Sequence, residues 1–275
     1  MSNHFNTQIG FGTSGLLGID NPDQWGIGKS AMHHALAVGY KVFDTAEMYG
    51  NGNAETMIGE VLVESKKRDQ LHIVSKVLPK NATTKESIIA SCKASVQRMN
   101  CEYIDTYLLH WRAPDNLPLQ PVIESFLELQ QLGLIRKYGV SNFNSQHSLK
   151  EWAHNESQLG TTEHVVANQV HYSMSKRAPE THLVALHKEL NITMMAYSPL
   201  SNGRNNILTN GDFIELAEKY NYNPTQLALA WTIRNPGIIA IPRSNKHKHI
   251  EDNLSSVELQ LNSEILNALD RLFPL

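Results

Sequence analysis

Short apolar runs alternate with amphipathic segments along most of the chain. Eight runs have the composition of buried strands, at residues 7–10, 42–44, 71–76, 104–109, 138–141, 165–169, 193–197 and 238–241. Helical spacing marks the segments 24–38, 84–99, 118–132, 145–155, 179–189, 211–220 with 224–234, 246–253 and 263–271. In the first of these, Ile27, Ala31, Ala35 and Val38 share one face of the helix. The pattern predicts repeated strand–helix units.

The spacing of these units predicts the fold class. From the second strand to the last, the strands end near residues 44, 76, 110, 141, 169, 197 and 242, without a linker or a low-complexity tract between them. Strands that alternate with helices form parallel sheets, and eight such units in 275 residues have the size of a TIM-type barrel. We therefore expect an α/β protein with one (β/α)8 TIM barrel domain over residues 1–275.

Composition limits the partners that we expect. A net charge of −3 is weak for a nucleic-acid surface or an anionic membrane, and no stretch approaches the apolar length of a membrane span. The two cysteines, Cys92 and Cys101, form no CxxC motif, and the N-terminus lacks the features of a signal peptide. These features indicate a cytoplasmic protein with no nucleic-acid or membrane partner.

Three successive strands end in an ionisable residue. They are Asp44, Lys76 and His110, and Tyr49 follows the first of them by five residues. Any one of these alone would be read as a structural ion pair or a core histidine. In a barrel, however, the carboxyl ends of the strands meet at one mouth, so we expect a carboxylate, an ammonium, a phenol and an imidazole in one place.

This set of groups suits proton delivery by a phenol. A free tyrosine has a pKa near 10 and is a poor acid at neutral pH. A lysine cation about 4 Å away contributes roughly 4 kcal/mol, which predicts a tyrosine pKa lower by about two or three units. Asp44 would keep Lys76 charged, and His110 would donate a hydrogen bond to a substrate carbonyl oxygen.

At these residues the chain resembles the aldo-keto reductases, NAD(P)H-dependent (β/α)8 barrels that reduce aldehydes and ketones. The resemblance covers nearly the whole chain and is carried by the segments 44–50, 75–76 and 105–111. It implies Tyr49 as the acid, Lys76 and Asp44 as the residues that tune it, and His110 as the residue that orients the carbonyl. Trp111, beside His110, would line the substrate pocket together with that histidine and Tyr49.

The resemblance also implies a set of cofactor contacts. Ser141, Asn142 and Gln169 would hold the nicotinamide carboxamide, and Tyr197 would stack on the ring. The remaining contacts, to the pyrophosphate and the adenosine end, would come from Thr13, Ser198, Leu200, Arg243, Ser244, His249 and Asn253. His249 stands where the family usually has an arginine that favours the 2′-phosphate. We therefore expect NADPH as the cofactor, with NADH possible.

The expected substrates are small carbonyl compounds. Among its relatives the chain is most similar to the bacterial branch that reduces methylglyoxal. It ends at Leu275, just after the last predicted helix, so we expect no long C-terminal loop over the pocket. The loop at 51–54 is longer than in many members, and segment 14–19 would form a further wall. We expect a monomer or a weak oligomer.

Two alternatives stay open at this point. The same barrel could serve as a non-catalytic nicotinamide-nucleotide sensor or subunit. A metal-dependent TIM-barrel hydrolase would need several histidines and aspartates at strand ends, but Lys76 and Tyr197 occupy such positions. We expect no metal site. The GxGxxG spelling at residues 10–15 is not followed by a helix and is read as a tight turn that lines the pocket.

Overall fold

A computed structural model of the protein describes residues 3–16, 22–112, 118–201 and 207–275. The strands are β1 (Phe11–Gly12), β2 (Val42–Asp44), β3 (His72–Val77), β4 (Ile104–Leu109), β5 (Ile135–Ser141), β6 (Ala167–His171), β7 (Thr193–Tyr197) and β8 (Ile238–Ala240). The helices are α1 (Pro22–Val38), α2 (Asn53–Ser65), α3 (Lys85–Arg98), α4 (Leu119–Gln131), α5 (Gln146–Gln158), α6 (Ala178–Glu189), α7 (Gly211–Lys219), α8 (Pro224–Thr232), α9 (His247–Ser255) and α10 (Ser263–Leu272).

The eight strands form one parallel barrel. They are hydrogen-bonded in chain order from β1 to β8. The sheet closes because Ile9 pairs in parallel with Ala240, and the Gly12 amide donates to the carbonyl of Pro242 at 3.0 Å. The prediction of a (β/α)8 TIM barrel is confirmed.

Successive side chains of each strand point alternately into the barrel and toward the helices, so the core has two layers. A large layer lies between the barrel and its helices. A smaller one fills the barrel interior with Phe5, Val42, Val74, Leu108, Val166, Ala167, Met195, Ile239 and Ile241. Gly139 is required here, since a Cβ at that position would lie 2.6 Å from a methyl group of Leu108. The packed interior therefore leaves room only at the mouth.

Several elements differ from the sequence prediction. The first strand lies at Phe11–Gly12 rather than at residues 7–10, because its pairing is set by β2 and β8 and not by a local apolar run. Residues 53 and 54, read as loop, begin α2, whose buried side includes Ala54, Met57, Ile58 and Val61. The predicted β5 and β6 are also displaced by two or three residues at one or both ends.

Among the described residues, no helix is both long enough and apolar enough to cross a bilayer.

Candidate active site

The reactive side chains lie at one mouth of the barrel. Three of them, Asp44, Lys76 and His110, each lie two residues beyond an apolar residue of the barrel interior and therefore on the same face of the strand or just past its end. The pairs are Val42 with Asp44, Val74 with Lys76, and Leu108 with His110. The strand register thus brings together residues that are more than 30 positions apart in the chain.

Asp44 and Lys76 form a buried ion pair. The Lys76 side chain is fully buried, and its Nζ donates to the Asp44 Oδ1 and Oδ2 atoms at 2.8 and 2.9 Å and to the Thr45 carbonyl at 2.6 Å. Gln169 adds a hydrogen bond from Nε2 to Asp44 Oδ1 at 2.7 Å. Burial acts to lower the pKa of Lys76, but the Asp44 carboxylate outweighs it and raises this pKa above its ordinary value. Lys76 is therefore a cation at neutral pH.

Tyr49 lies against this cation. Lys76 Nζ donates to the phenolic oxygen at 3.4 Å. Burial raises the pKa of Tyr49, although the Lys76 cation and a hydrogen bond with the Ser14 hydroxyl act to lower it. The predicted net decrease in this pKa is therefore wrong, because the sequence identifies the lysine but not how deeply the phenol is buried. Tyr49 holds its proton at neutral pH.

His110 completes the group as a neutral imidazole. Its ring packs edge-on to the Tyr49 ring, with 5.9 Å between the centroids. Burial, together with the nearby Lys76 cation, lowers the pKa of His110 to about 3. Its Nδ1 atom has no hydrogen-bond partner among the residues that the structure describes. A neutral imidazole carries one N–H donor, so this ring can donate to a substrate without bringing a charge.

A cavity of about 490 Å³ opens at this mouth. Eleven of the predicted site residues line it: Asp44, Tyr49, His110, Trp111, Ser141, Asn142, Gln169, Tyr197, Ser198, Leu200 and Arg243. Trp111 lies at the rim with 39% of its surface exposed and its ring 4.9 Å from that of His110. Lys76 lies behind the wall, where it contacts Asp44 and Tyr49.

The remaining four predicted contacts lie outside this cavity. Thr13 is buried, and its hydroxyl donates to the Asp44 carbonyl at 3.0 Å, so it holds β1 against β2. Ser244 accepts a hydrogen bond from the Lys246 amide at 3.1 Å, just before α9. His249 is exposed on α9, and Asn253, on the same helix, is buried.

Polar groups at the ends of β5, β6 and β7 form one network. The Asn142 amide nitrogen donates to the His110 carbonyl at 3.0 Å, and its amide oxygen accepts from the Tyr197 hydroxyl at 3.0 Å. Ser141 donates to the Gln169 carbonyl at 3.1 Å. Asn142 has a left-handed backbone with φ of 60°, an uncommon conformation outside glycine. This network fixes amide and hydroxyl groups along one wall of the cavity.

These residues fit a nicotinamide dinucleotide. The wall formed by β5–β7 has donors and acceptors of the kind that a carboxamide needs. At the other end, the Asn253 Oδ1 atom is buried and has no partner in the described ranges, so it can accept from an adenine amino group. Arg243 lines the cavity and donates from Nη1 to the Gly15 carbonyl at 2.8 Å.

Four lining residues, Met48, Pro199, Ile241 and Pro242, are absent from the predicted site residues. Each lies within two positions of a predicted residue, Tyr49, Ser198 or Arg243, and adjacency was the only available signal. Gly12 and Ser14 line the cavity, as predicted for the glycine-rich turn. The rest of the predicted wall, residues 17–19, and the loop 113–117 lie outside the described residues.

The side chains at the mouth do not form a metal-binding group. Within the described part of the chain, no three histidine, cysteine, aspartate or glutamate side chains lie together in a way that could hold an ion. The Asp44 carboxylate, which a hydrolase would use as a ligand, is already bonded to Lys76 and Gln169. The geometry therefore favours proton delivery over metal-assisted hydrolysis.

Comparisons with known proteins agree with this geometry. Residues 8–273 match the model of the Aldo/keto reductase family. The chain is 34% identical to methylglyoxal reductase YeaE of Escherichia coli K12, over 89% of this chain and 84% of that protein. It is 32% identical to methylglyoxal reductase DkgB of Escherichia coli O157:H7, over 87% and 85% of the two chains.

Solved structures show the same likeness. An aldo-keto reductase from Klebsiella pneumoniae in complex with NADPH superposes with a TM-score of 0.88 at 33% identity, covering 97% of this chain and 91% of that one. The aldose reductase from Schistosoma japonicum superposes with a TM-score of 0.81 at 25% identity, covering 96% and 88%.

Proposed function

Because this chain belongs to the aldo/keto reductase family and is an NADPH-dependent carbonyl reductase, we propose that it reduces small aldehydes and dicarbonyls such as methylglyoxal to alcohols. In this proposal Tyr49 is the proton donor. The observation that carries it is the chain of contacts from Asp44 through Lys76 to the Tyr49 hydroxyl, at 2.8 and 3.4 Å.

Tyr49 donates its proton to the carbonyl oxygen as negative charge develops there. The donation leaves a phenolate, and the Lys76 cation stabilises this phenolate at close range in a water-poor site. Asp44 keeps Lys76 charged before and after the transfer, because a lone buried ammonium would tend to lose its proton. The three side chains thus act in sequence along one line of contacts.

His110 orients the carbonyl. Its neutral ring donates a hydrogen bond to the same oxygen and holds it near the Tyr49 hydroxyl. An imidazolium here would repel the nearby Lys76 cation, and the low pKa of His110 avoids that repulsion. Trp111 covers the rim beside it.

The bound cofactor supplies the hydride that reduces the carbonyl carbon. Ser141, Asn142 and Gln169 would hold its carboxamide, and Tyr197 would stack on the nicotinamide ring. The Tyr197 ring is itself stacked on that of His171, with 5.2 Å between the centroids. The rest of the cofactor would contact Thr13, Ser198, Leu200, Arg243, Ser244, His249 and Asn253. Two of these support the adenosine end most directly: the exposed Arg243 guanidinium, and the Asn253 amide oxygen, which has no hydrogen-bond partner among the described residues.

The size of the cavity supports small substrates. About 490 Å³ must hold both the nicotinamide end of the cofactor and the substrate, which leaves space for a compact carbonyl compound. The lining around Met48, Trp111 and Pro199 offers apolar contact rather than charge.

The cellular setting is also a proposal. Both cysteines are free, Cys92 buried and Cys101 partly buried, which suits the reducing conditions of the cytoplasm. The net charge of −3 gives no reason to expect a nucleic-acid partner. We propose a monomer or weak oligomer, which light scattering of the purified protein would test.

The direct test is oxidation of NADPH by the purified protein with methylglyoxal, followed by absorbance and by identification of the alcohol product. Turnover that depends on both reagents is the expected result. Binding of NADPH without turnover on any of a panel of small aldehydes would instead favour a sensor or a non-catalytic subunit.

A further inference from the structure

The turn that carries Tyr49 contains three consecutive residues with left-handed backbones. Tyr49 begins a short 3₁₀ helix, Tyr49–Gly52, between β2 and α2. Inside it Gly50 and Asn51 have left-handed backbones with φ of 57° and 54°, and Gly52 follows with φ of 90°. Left-handed geometry is uncommon outside glycine, although asparagine adopts it more readily than other residues. Hydrogen bonds within the turn, such as that from the Tyr49 amide to the Ala46 carbonyl at 3.0 Å, shape the turn but do not fix its position relative to Lys76 on β3. Contacts from outside the turn set that position.

One such contact comes from Glu47, two residues before Tyr49. Its Oε1 atom accepts hydrogen bonds from the Leu78 amide at 2.6 Å and from Asn81 Nδ2 at 3.0 Å. The Glu47 amide also donates to the Lys76 carbonyl at 3.4 Å. Glu47 thus attaches the entrance of the turn to the segment that directly follows Lys76.

A second contact comes from Glu55, in the first turn of α2. Its side chain is fully buried, and its Oε1 atom accepts from the Ser75 hydroxyl at 2.5 Å. Its Oε2 atom accepts from Arg98 Nε at 2.7 Å. Arg98 also packs over Gly52, where a Cβ would lie 2.7 Å from its side chain. Glu55 thus attaches the exit of the turn to the residue that directly precedes Lys76.

We propose that Glu47 and Glu55 are positioning residues that together set the distance between Tyr49 and Lys76. They hold the turn on both sides of the tyrosine and attach it to β3 on both sides of the lysine. At 3.4 Å the contact from Lys76 Nζ to the Tyr49 oxygen is at the long end of hydrogen-bond range, so a small shift of the turn would break it. This inference rests on the proposed function, since it concerns the same proton donor.

The sharpest test compares Glu47→Ala with Glu47→Gln. Glutamine keeps an acceptor oxygen for Leu78 and Asn81, whereas alanine removes it. Glu47 is only partly buried, so we expect both variants to fold. A displacement of about 1 Å can cost roughly 100-fold, so we expect Glu47→Ala to lower kcat by roughly 10- to 100-fold, with KM for NADPH unchanged and Glu47→Gln close to wild type.

Ser75→Ala tests the other side of the turn without removing the buried ion pair. It deletes the hydroxyl that donates to Glu55 but leaves the bond from Arg98, and it should likewise lower kcat and not KM for NADPH. Glu60→Ala is the matched control, because Glu60 lies on the same helix and pairs with Lys29 at the surface. We expect its kcat to equal that of the wild type.

Equal kcat for wild type and Glu47→Ala, at matched thermal stability, would overturn the proposal. So would equal losses in the alanine and glutamine variants, since the acceptor oxygen would then be irrelevant. Neither result would contradict the proposed function, which is tested by wild-type turnover and by substitution of Tyr49 itself.

Discussion

The charge states of single residues decide what this site can do. Lys76 and Asp44 are both buried, and their opposite charges neutralise each other. Tyr49 keeps its proton, and His110 stays uncharged. The identities of these four residues could be predicted from the sequence, since each ends a strand or follows one closely. The direction of the Tyr49 pKa shift could not, because it depends on burial that only packing determines.

The pH dependence of turnover follows from these states. The active form needs a neutral His110, whose pKa of about 3 lies far below the range where an ordinary histidine titrates. It also needs a protonated Tyr49, whose pKa is raised. We therefore expect kcat for reduction to stay level between about pH 5 and 8 and to fall only in alkaline solution. An acid limb near pH 6, on protein that remains folded, would contradict the neutral assignment of His110.

At the scale of elements, the strands and most helices could be predicted from the sequence because the periodicity of their apolar residues is a local feature. α2 was missed although Ala54, Met57, Ile58 and Val61 have helical spacing, because the glycine- and asparagine-rich residues before it read as loop. β1 was misplaced because its two residues are fixed by pairing with β2 and β8. Pairing between segments that are far apart in the chain cannot be predicted from the local sequence.

The close approach of α2 to the end of α3 gives a stability prediction. A Cβ at Gly59 would lie 2.6 Å from the Arg98 carbonyl oxygen, a backbone atom that cannot simply move aside. We expect Gly59→Ala to lower the free energy of unfolding by roughly 1–3 kcal/mol. Gly26→Ala in α1 is the control, since a Cβ there meets nothing within 4 Å and should stabilise by about 0.5–1 kcal/mol. Denaturant unfolding measures both, and a Gly59 variant as stable as the wild type would contradict the packing.

The segment between β8 and α9 gives a prediction on cofactor preference. Arg243 lines the cavity with an exposed guanidinium, and α9 presents His249 to solvent. A lost charged hydrogen bond to the 2′-phosphate is worth about 1.5–3 kcal/mol, so Arg243→Ala should raise KM for NADPH about 10- to 100-fold and KM for NADH little. His249→Arg should lower KM for NADPH selectively. Parallel changes for both cofactors would mean that neither residue reads the 2′-phosphate.

For the whole molecule, the barrel determines where the site is and how large it is. Its interior is filled by one layer of apolar side chains, so the cavity is confined to the mouth and measures about 490 Å³. The barrel and the position of the mouth followed from the spacing of strand–helix units. The cavity volume did not, since it depends on side-chain packing across eight strands.

This size predicts broad tolerance among small substrates. An apolar pocket gains only about 1–3 kcal/mol for each added methylene and rejects near-isosteres weakly. We expect kcat/KM for methylglyoxal and for a benzaldehyde to lie within about 100-fold of each other and both to exceed that for a bulky steroid ketone. Steady-state kinetics with the three compounds measures this, and preference for the steroid would show a larger pocket than the structure has.

The most direct test of the central claim is the Tyr49→Phe variant, assayed for NADPH-dependent reduction of methylglyoxal and, separately, for NADPH binding by fluorescence. Because the change removes only the hydroxyl that Lys76 contacts, we expect kcat to fall about 10²- to 10⁴-fold with NADPH affinity retained. Tyr220→Phe, which removes an exposed hydroxyl bonded to Glu264, should leave kcat unchanged. A Tyr49→Phe enzyme that keeps most of the wild-type kcat would contradict the assignment of Tyr49 as the proton donor.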